Sequence, residues 1–262
     1  MNFLLWLAIL PTIFLAARVL SYDRVEKEPF GLLAKLFIFG MLTCIPAAII
    51  EAIGETVISR ISPSELFTSA LTYLLLVPLA EEGMKLLALR TTHNDPNFNY
   101  TFDGIVYAVM VTLGFATLEN VLYVFSFQTV ETAIMRAVIS VPMHCVCGIF
   151  MGYYYGVARG QEARGSMEQA RLANRLCLLI PCIIHGLFDF SVDQDSIFIV
   201  LLGLACTLFV FFVAAKQVKI SSLNDQPISA SFSTFTEPVP TEQDNGSPKR
   251  SGGTPPPPFN MQ

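Results

Sequence analysis

The chain has 262 residues, of which 53% are apolar and only 14% charged, with a formal net charge of −5. A soluble domain carries roughly a quarter charged residues, so the composition excludes an ordinary water-soluble fold and points to a membrane. Nothing suggests nucleic-acid binding: the few basic residues are those membrane topology requires, and neither a dinucleotide nor a P-loop glycine motif is present.

A membrane span takes about twenty mostly apolar residues, and seven stretches qualify: 3–20, 30–53, 66–89, 102–126, 135–158, 174–192 and 195–216. The expected fold is therefore an all-α polytopic membrane protein, a bundle of about seven transmembrane helices. The first stretch lacks a basic leading region, and basic residues follow it rather than precede it. It reads as a retained helix, not a signal peptide. In the third, Glu81 and Glu82 lie deep in apolar sequence, with Lys85 one turn on. A carboxylate at that depth costs roughly three to more than ten kcal/mol and marks a functional site by default. Glu81 and Lys85 share a helix face while Glu82 is turned about 100° away. Either glutamate can pair with Lys85, leaving the other to face something else. Pro78 removes one backbone hydrogen bond just before the pair.

The fourth span carries Phe115, Glu119 and Asn120. In the fifth, His144 heads a stripe of Gly148, Gly152 and Gly156, small residues that let another helix approach closely. Residues 159–173 read as the longest internal loop, with a short surface helix at the cytoplasmic interface. The sixth span pairs His185 with Asp189, four apart. The carboxylate can orient the imidazole through one ring nitrogen and leave the other free for substrate or water. All six cysteines fall within spans and none forms a CxxC pair, so they read as packing residues. From Ser221 onward Ser, Thr, Pro, Gly and charge predominate, which predicts a disordered tail over 221–262. The spans then occupy 1–220, with the polar residues confined to 66–192.

Lys and Arg set the orientation. With seven spans, one set of loops holds Arg60 and Arg136, while the other holds twelve basic residues, among them Arg18, Arg24, Lys27, Arg159 and Arg164. This places the N-terminus outside and the C-terminus in the cytoplasm. A rise of about 1.5 Å per residue puts Glu81, His144 and His185 within roughly 5 Å of the midplane, and Glu119 and Asp189 roughly 7–8 Å outward. One shared cavity is allowed by depth.

Serine-type catalysis has no GxSxG motif here, paired intramembrane aspartates are missing, and so is HExxH. A glutamate activating water, with histidines stabilising the oxyanion and protonating the leaving amine, fits the inventory. A metal held by Glu and His fits almost as well. Buried Glu and His also make proton relays in transporters, although no doubled pattern of broken helices is visible.

Glu81-Glu82-Gly83-Met84-Lys85 reads as EExxK, Phe115 to Asn120 as FxxxEN, and His185 to Asp189 as HxxxD, with His144 between and Phe102-Asp103-Gly104 opening the fourth span. In this order they resemble the PrsW family of intramembrane proteases, related to the CAAX prenyl endopeptidases and the bacteriocin-processing Abi proteins. The likeness covers about 78–190. It implies a multi-pass endopeptidase of the bacterial cytoplasmic membrane, with Glu81, Glu82, Glu119, His144 and His185 catalytic and Lys85, Phe115, Asn120 and Asp189 in support. The substrate implied is a membrane-anchored protein such as an anti-sigma factor, cut on its extracytoplasmic side at the first step of regulated proteolysis. The prenyl-protease relatives imply a glutamate mechanism with no cofactor. A zinc enzyme would use Glu82, His144 and His185 as ligands.

Overall fold

The structure, a computed structural model, describes residues 2–228 as seven helical rods; the only strand-like pairing among them is one isolated bridge. In chain order they are α1 (Asn2–Leu20), α2 (Phe30–Ile61), α3 (Glu65–Leu71) continuing into α4 (Val77–Leu89), α5 (Asp103–Phe127), α6 (Val130–Met135) continuing into α7 (Val141–Ala163), α8 (Met167–Val192) and α9 (Ile197–Leu223). Six are long and apolar enough to cross a membrane. The expected seventh, α3–α4, carries Glu81, Glu82 and Lys85, so it does not stand beside the others on apolarity.

Boundaries differ from expectation in three places, each because a helix outlasts its apolar stretch. Helix α2 runs on to Ile61 rather than ending near 53. Residues 159–173 form no long loop and no separate surface helix: α7 continues to Ala163, α8 begins at Met167, and a three-residue turn with Gly165 at φ 76° joins them. The expected tail is ordered at its start. Helix α9 reaches Leu223, and the strap behind it pairs with the α4–α5 connection, Thr101 N–H donating to Gln226 O and Ile228 N–H to Asn99 O. The rest of that tail, 229–262, lies outside the described residues.

Helix α5 is the axis of the bundle: 72% of its apolar window is buried against 11% for α9, whose Phe198, Phe209 and Phe212 face outward as lipid contacts would. Glycines set the close approaches. A Cβ on Gly114 would fall 2.0 Å from Phe37 O on α2, and one on Gly152 would fall 2.3 Å from Gly104 O. The stripe below His144 is therefore the seam by which α7 packs on α5.

Two rods are broken in the same way. A π turn over Thr72–Leu76 precedes Pro78, and another over Arg136–Ser140 precedes Pro142. Each closes with a wide bond, Val77 N–H to Thr72 O and Val141 N–H to Arg136 O. The extra residue per turn accommodates a ring that cannot donate, and π turns gather at functional sites for that reason. Glu81 follows the first π turn by five residues and His144 the second by four. This doubled break is not visible in the sequence because a π turn has no composition of its own.

Candidate active site

Helix α4 delivers Glu81, Glu82 and Lys85 from just behind its π turn. Helix α8 crosses that turn at Gly186, where a Cβ would stand 3.0 Å from Tyr73 O, and Cys182 Sγ donates to Pro78 O. The crossing brings His185 against Glu82. Helices α5 and α7, seamed by glycine, bring Phe115 and Glu119 beside His144. Four consecutive rods thus converge on one cluster, and the shared cavity that depth allowed is present.

Lys85 is its centre. Its Nζ donates to Glu81 Oε2 at 2.9 Å and Glu82 Oε1 at 2.8 Å, and stands 3.1 Å from His144 Nδ1. An ammonium has three protons and no acceptor, so all three are used. Nδ1 of His144 must then accept, which puts that ring's proton on Nε2, 2.8 Å from Glu119 Oε2. Both Lys85 and Glu82 are fully excluded from solvent. Phe115 covers the ammonium from above, its ring centroid 4.1 Å from Nζ, a cation–π contact strengthened by desolvation. The question left open by helical phase is answered: Lys85 holds both glutamates, not one.

His185 differs from expectation. Its Nε2 lies 3.1 Å from Asp189 Oδ2 as HxxxD suggested, but Nδ1 is taken too, 2.8 Å from Glu82 Oε1. No ring nitrogen is left free, because the crossing at Gly186 presses the ring onto α4. The two imidazoles meet edge to face, centroids 5.2 Å apart. Glu81 Oε2 lies 3.8 Å from His144 Nδ1 and 3.9 Å from His185 Nε2.

Glu119 faces His144 on one side and Arg136 Nη2, at 2.9 Å, on the other. Asn120 stands outside the cluster. It accepts from Arg136 Nε at 3.0 Å and donates to Ala8 O at 2.9 Å, tying α1 and the second π turn to α5. A cavity of about 810 Å³ opens on this assembly, walled by Glu81, Glu119, His144, His185, Asp189 and Arg136 but not by Glu82 or Lys85. Its wall includes polar residues that the motifs do not mark, among them Arg136, Glu51 and Glu55. Arg136 reads in sequence only as a topology signal. Glu51 sits where the second span was expected to end, which hid its place on a cavity wall.

Glu81, Glu82, His144 and His185 each bring a ligand atom to within 4.8 Å of the others. In kind and number these donors suit zinc. The Lys85 ammonium already contacts three of the four, so an ion held there would have to displace it.

A family model described as PrsW family intramembrane metalloprotease matches residues 28–215. The chain is 33% identical to Protease PrsW of Clostridioides difficile (strain 630), over 70% of this chain and 76% of that one. It is 32% identical to Protease PrsW of Geobacillus kaustophilus (strain HTA426), over 77% and 86%. With Protease PrsW of Bacillus subtilis (strain 168) it shares 31% identity over 82% and 94%. No solved structure matches it.

Proposed function

The chain belongs to the PrsW family of intramembrane proteases, multi-pass membrane hydrolases, and from that premise we propose that it cleaves its protein substrate with water activated by Glu81. One observation carries the choice of residue: of the two adjacent glutamates, Glu81 lines the cavity and Glu82 does not. A peptide bond admitted there meets Glu81 with an imidazole about 4 Å to either side.

In this reading Glu81 accepts a proton from water as the water oxygen bonds to the carbonyl carbon. The Nε2–H of His185 turns from Asp189, 3.1 Å away, to the developing oxyanion and stabilises it. On collapse the C–N bond breaks, and the amine takes a proton from His185, which Glu81 then restores. Glu82 works from behind, holding Lys85 and His185 in place. Glu119 orients His144, Asp189 orients His185, Phe115 shields the ammonium, and Asn120 secures Arg136. The order of events is general acid–base hydrolysis, to which a positioned base contributes about 10²- to 10⁴-fold.

A metal reading is favoured by the four converging donors and by the family's description. Glu81, Glu82, His144 and His185 would hold the ion, which would supply a Lewis acid and lower the pKa of bound water. Lys85 argues for the metal-free form, since its ammonium already contacts both glutamates and the His144 nitrogen that an ion would need.

The basic residues support an N-terminus outside and a C-terminus in the cytoplasm. With that orientation the cavity opens extracytoplasmically, between the distal end of α2 and the turn at Asp193. A single-span, anti-sigma-factor-like protein cut on its outer side suits such an opening, at the first step of a signalling cascade.

Cleavage of single-span reporters by protein in liposomes tests the proposal, with and without a strong zinc chelator. Wild type should cut, Glu81→Gln and His185→Ala should not, and chelator should change nothing. Undiminished cleavage by a Glu81→Gln, Glu82→Gln double variant would falsify the glutamate chemistry. Loss with chelator and recovery with zinc would transfer the same residues to the metal reading.

A further inference from the structure

Helix α2 presents Cys44, Ala48, Glu51 and Glu55 to the reaction cavity, the spacing of one helix face. The first two positions are small and belong to the floor beside Phe115, where Cys44 packs. The last two are carboxylates one turn apart that line the same cavity as Glu81, His144 and His185. Glu51 is part-buried, and its Oε1 is buried without a hydrogen-bond partner; Glu82, Glu119 and Arg136 also carry such an atom, but each of those residues is held in an ion pair. Neither Glu51 nor Glu55 forms an ion pair among the described residues, whereas the other charges of the site are engaged. Lys85 is saturated by three acceptors, and Arg136 faces Glu119 and Asn120. Asp189 faces His185, and Asp193 accepts from Ser69.

A buried carboxylate oxygen without a donor is costly, and no described group donates to this one. An occupant of the cavity can. We propose that Glu51, assisted by Glu55, is a specificity determinant that receives a basic side chain of the substrate next to the bond to be cut. The inference rests on the proteolytic reading of the cavity and adds the chemistry of what enters it. A lysine or arginine supplies the donors that Glu51 lacks and a charge to match both carboxylates, which lie about 6 Å apart along the helix. An acidic segment would meet like charge in a poorly solvated space and be rejected.

Binding can be read without turnover. The protein is placed in nanodiscs of zwitterionic lipid, so that the bilayer itself does not attract cations. Synthetic single-span leucine–alanine helices flanked by Lys, Gln or Glu serve as probes, and binding is followed by fluorescence anisotropy. Wild type should bind the Lys probe about tenfold more tightly than the Gln probe, a difference of about 1.4 kcal/mol. The Glu51→Gln, Glu55→Gln variant, equal in size, should bind both alike. A Glu51→Lys, Glu55→Lys variant should instead prefer the Glu probe, a reversal that mere loss of structure cannot produce. A Lys preference that survives the double Gln substitution overturns the proposal, as does a wild type that binds no probe or binds all three equally. The proteolytic reading fails separately, through the reporter assay: chemistry can be lost with the charge preference intact, and the preference can be absent while cleavage proceeds.

Discussion

Lys85 is buried with two carboxylates and an imidazole as its neighbours, so removing its charge leaves more behind than a cavity. Lys85→Met keeps the volume but strands Glu81 and Glu82 without a counter-charge. Breaking one side of such a buried assembly costs about 3–5 kcal/mol. The expected result is a large drop in melting temperature in detergent, part of which a Glu82→Gln substitution in the same chain should restore. Glu81 makes the opposite prediction. It lines the cavity and shares Lys85 with Glu82, so Glu81→Gln should leave the melting temperature near that of wild type while cleavage falls by about 10²- to 10⁴-fold. Equal losses of stability and activity in the two variants would contradict the separate roles assigned here.

Among the elements, the α5–α7 seam and the α4 face differ in what a single methyl group meets. At Gly152 it meets Gly104 O at 2.3 Å and Ile105 Cα at 2.5 Å, both backbone and unable to yield. Gly152→Ala should therefore push α7 off α5, displace His144 and cost several kcal/mol, about 1–3 or more by the usual measure of overpacking. At Gly83 a methyl group meets nothing within 4 Å. Gly83→Ala, one residue from Glu82, should be tolerated and can gain up to about 1 kcal/mol from helix propensity. Melting curves and cleavage of the same reporter compare the two. The π turns belong to this scale too. They let α4 and α7 turn their polar residues inward while the helices continue, which explains why both proline positions lie one turn or less before the groups that matter.

The whole molecule is closed at the end away from the cavity by the strap behind α9. Ile228 is buried in the main core, Asp225 accepts from the backbone of Phe102 and the hydroxyl of Thr101, and Ser222 reaches Tyr22 O. A chain ending at Leu223 keeps Ser222 but loses the contacts of Asp225 and Ile228, and should melt lower than one ending at Ala230. Equal melting temperatures would show the strap to be incidental. The same end is pH-sensitive. Burial, the largest cause, pushes the carboxyls of Asp23, Glu28 and Asp225 above their ordinary values. For an acid held more tightly protonated when folded, the stabilisation is complete below the unfolded pKa of about 4. It is lost as pH rises through the raised value. Melting temperature should therefore decline as pH rises from about 4 toward neutrality, and Glu28→Gln should flatten the decline.

Composition and motif order by themselves determined that the chain is a polytopic helical membrane protein, and which helices carry its buried carboxylates and imidazoles. Apolar length is set by the thickness of the bilayer, and a carboxylate or imidazole inside it is too costly to be incidental. Glu81, Glu82, Glu119, His144 and His185 were legible for that reason. What the tertiary structure decided is which atoms meet. Glu82 turns inward and Glu81 toward the cavity because α8 crosses α4 at Gly186, 104 residues away from Glu82 in the chain. Arg136 changes from a topology signal into the partner of Glu119 because a π turn rotates it inward. Glu55 joins the cavity wall because α2 outlasts its apolar stretch by about two turns. Helical period constrains directions within one helix. Crossing angles, breaks and the distance between axes come from packing several helices at once, and no single stretch of sequence contains them.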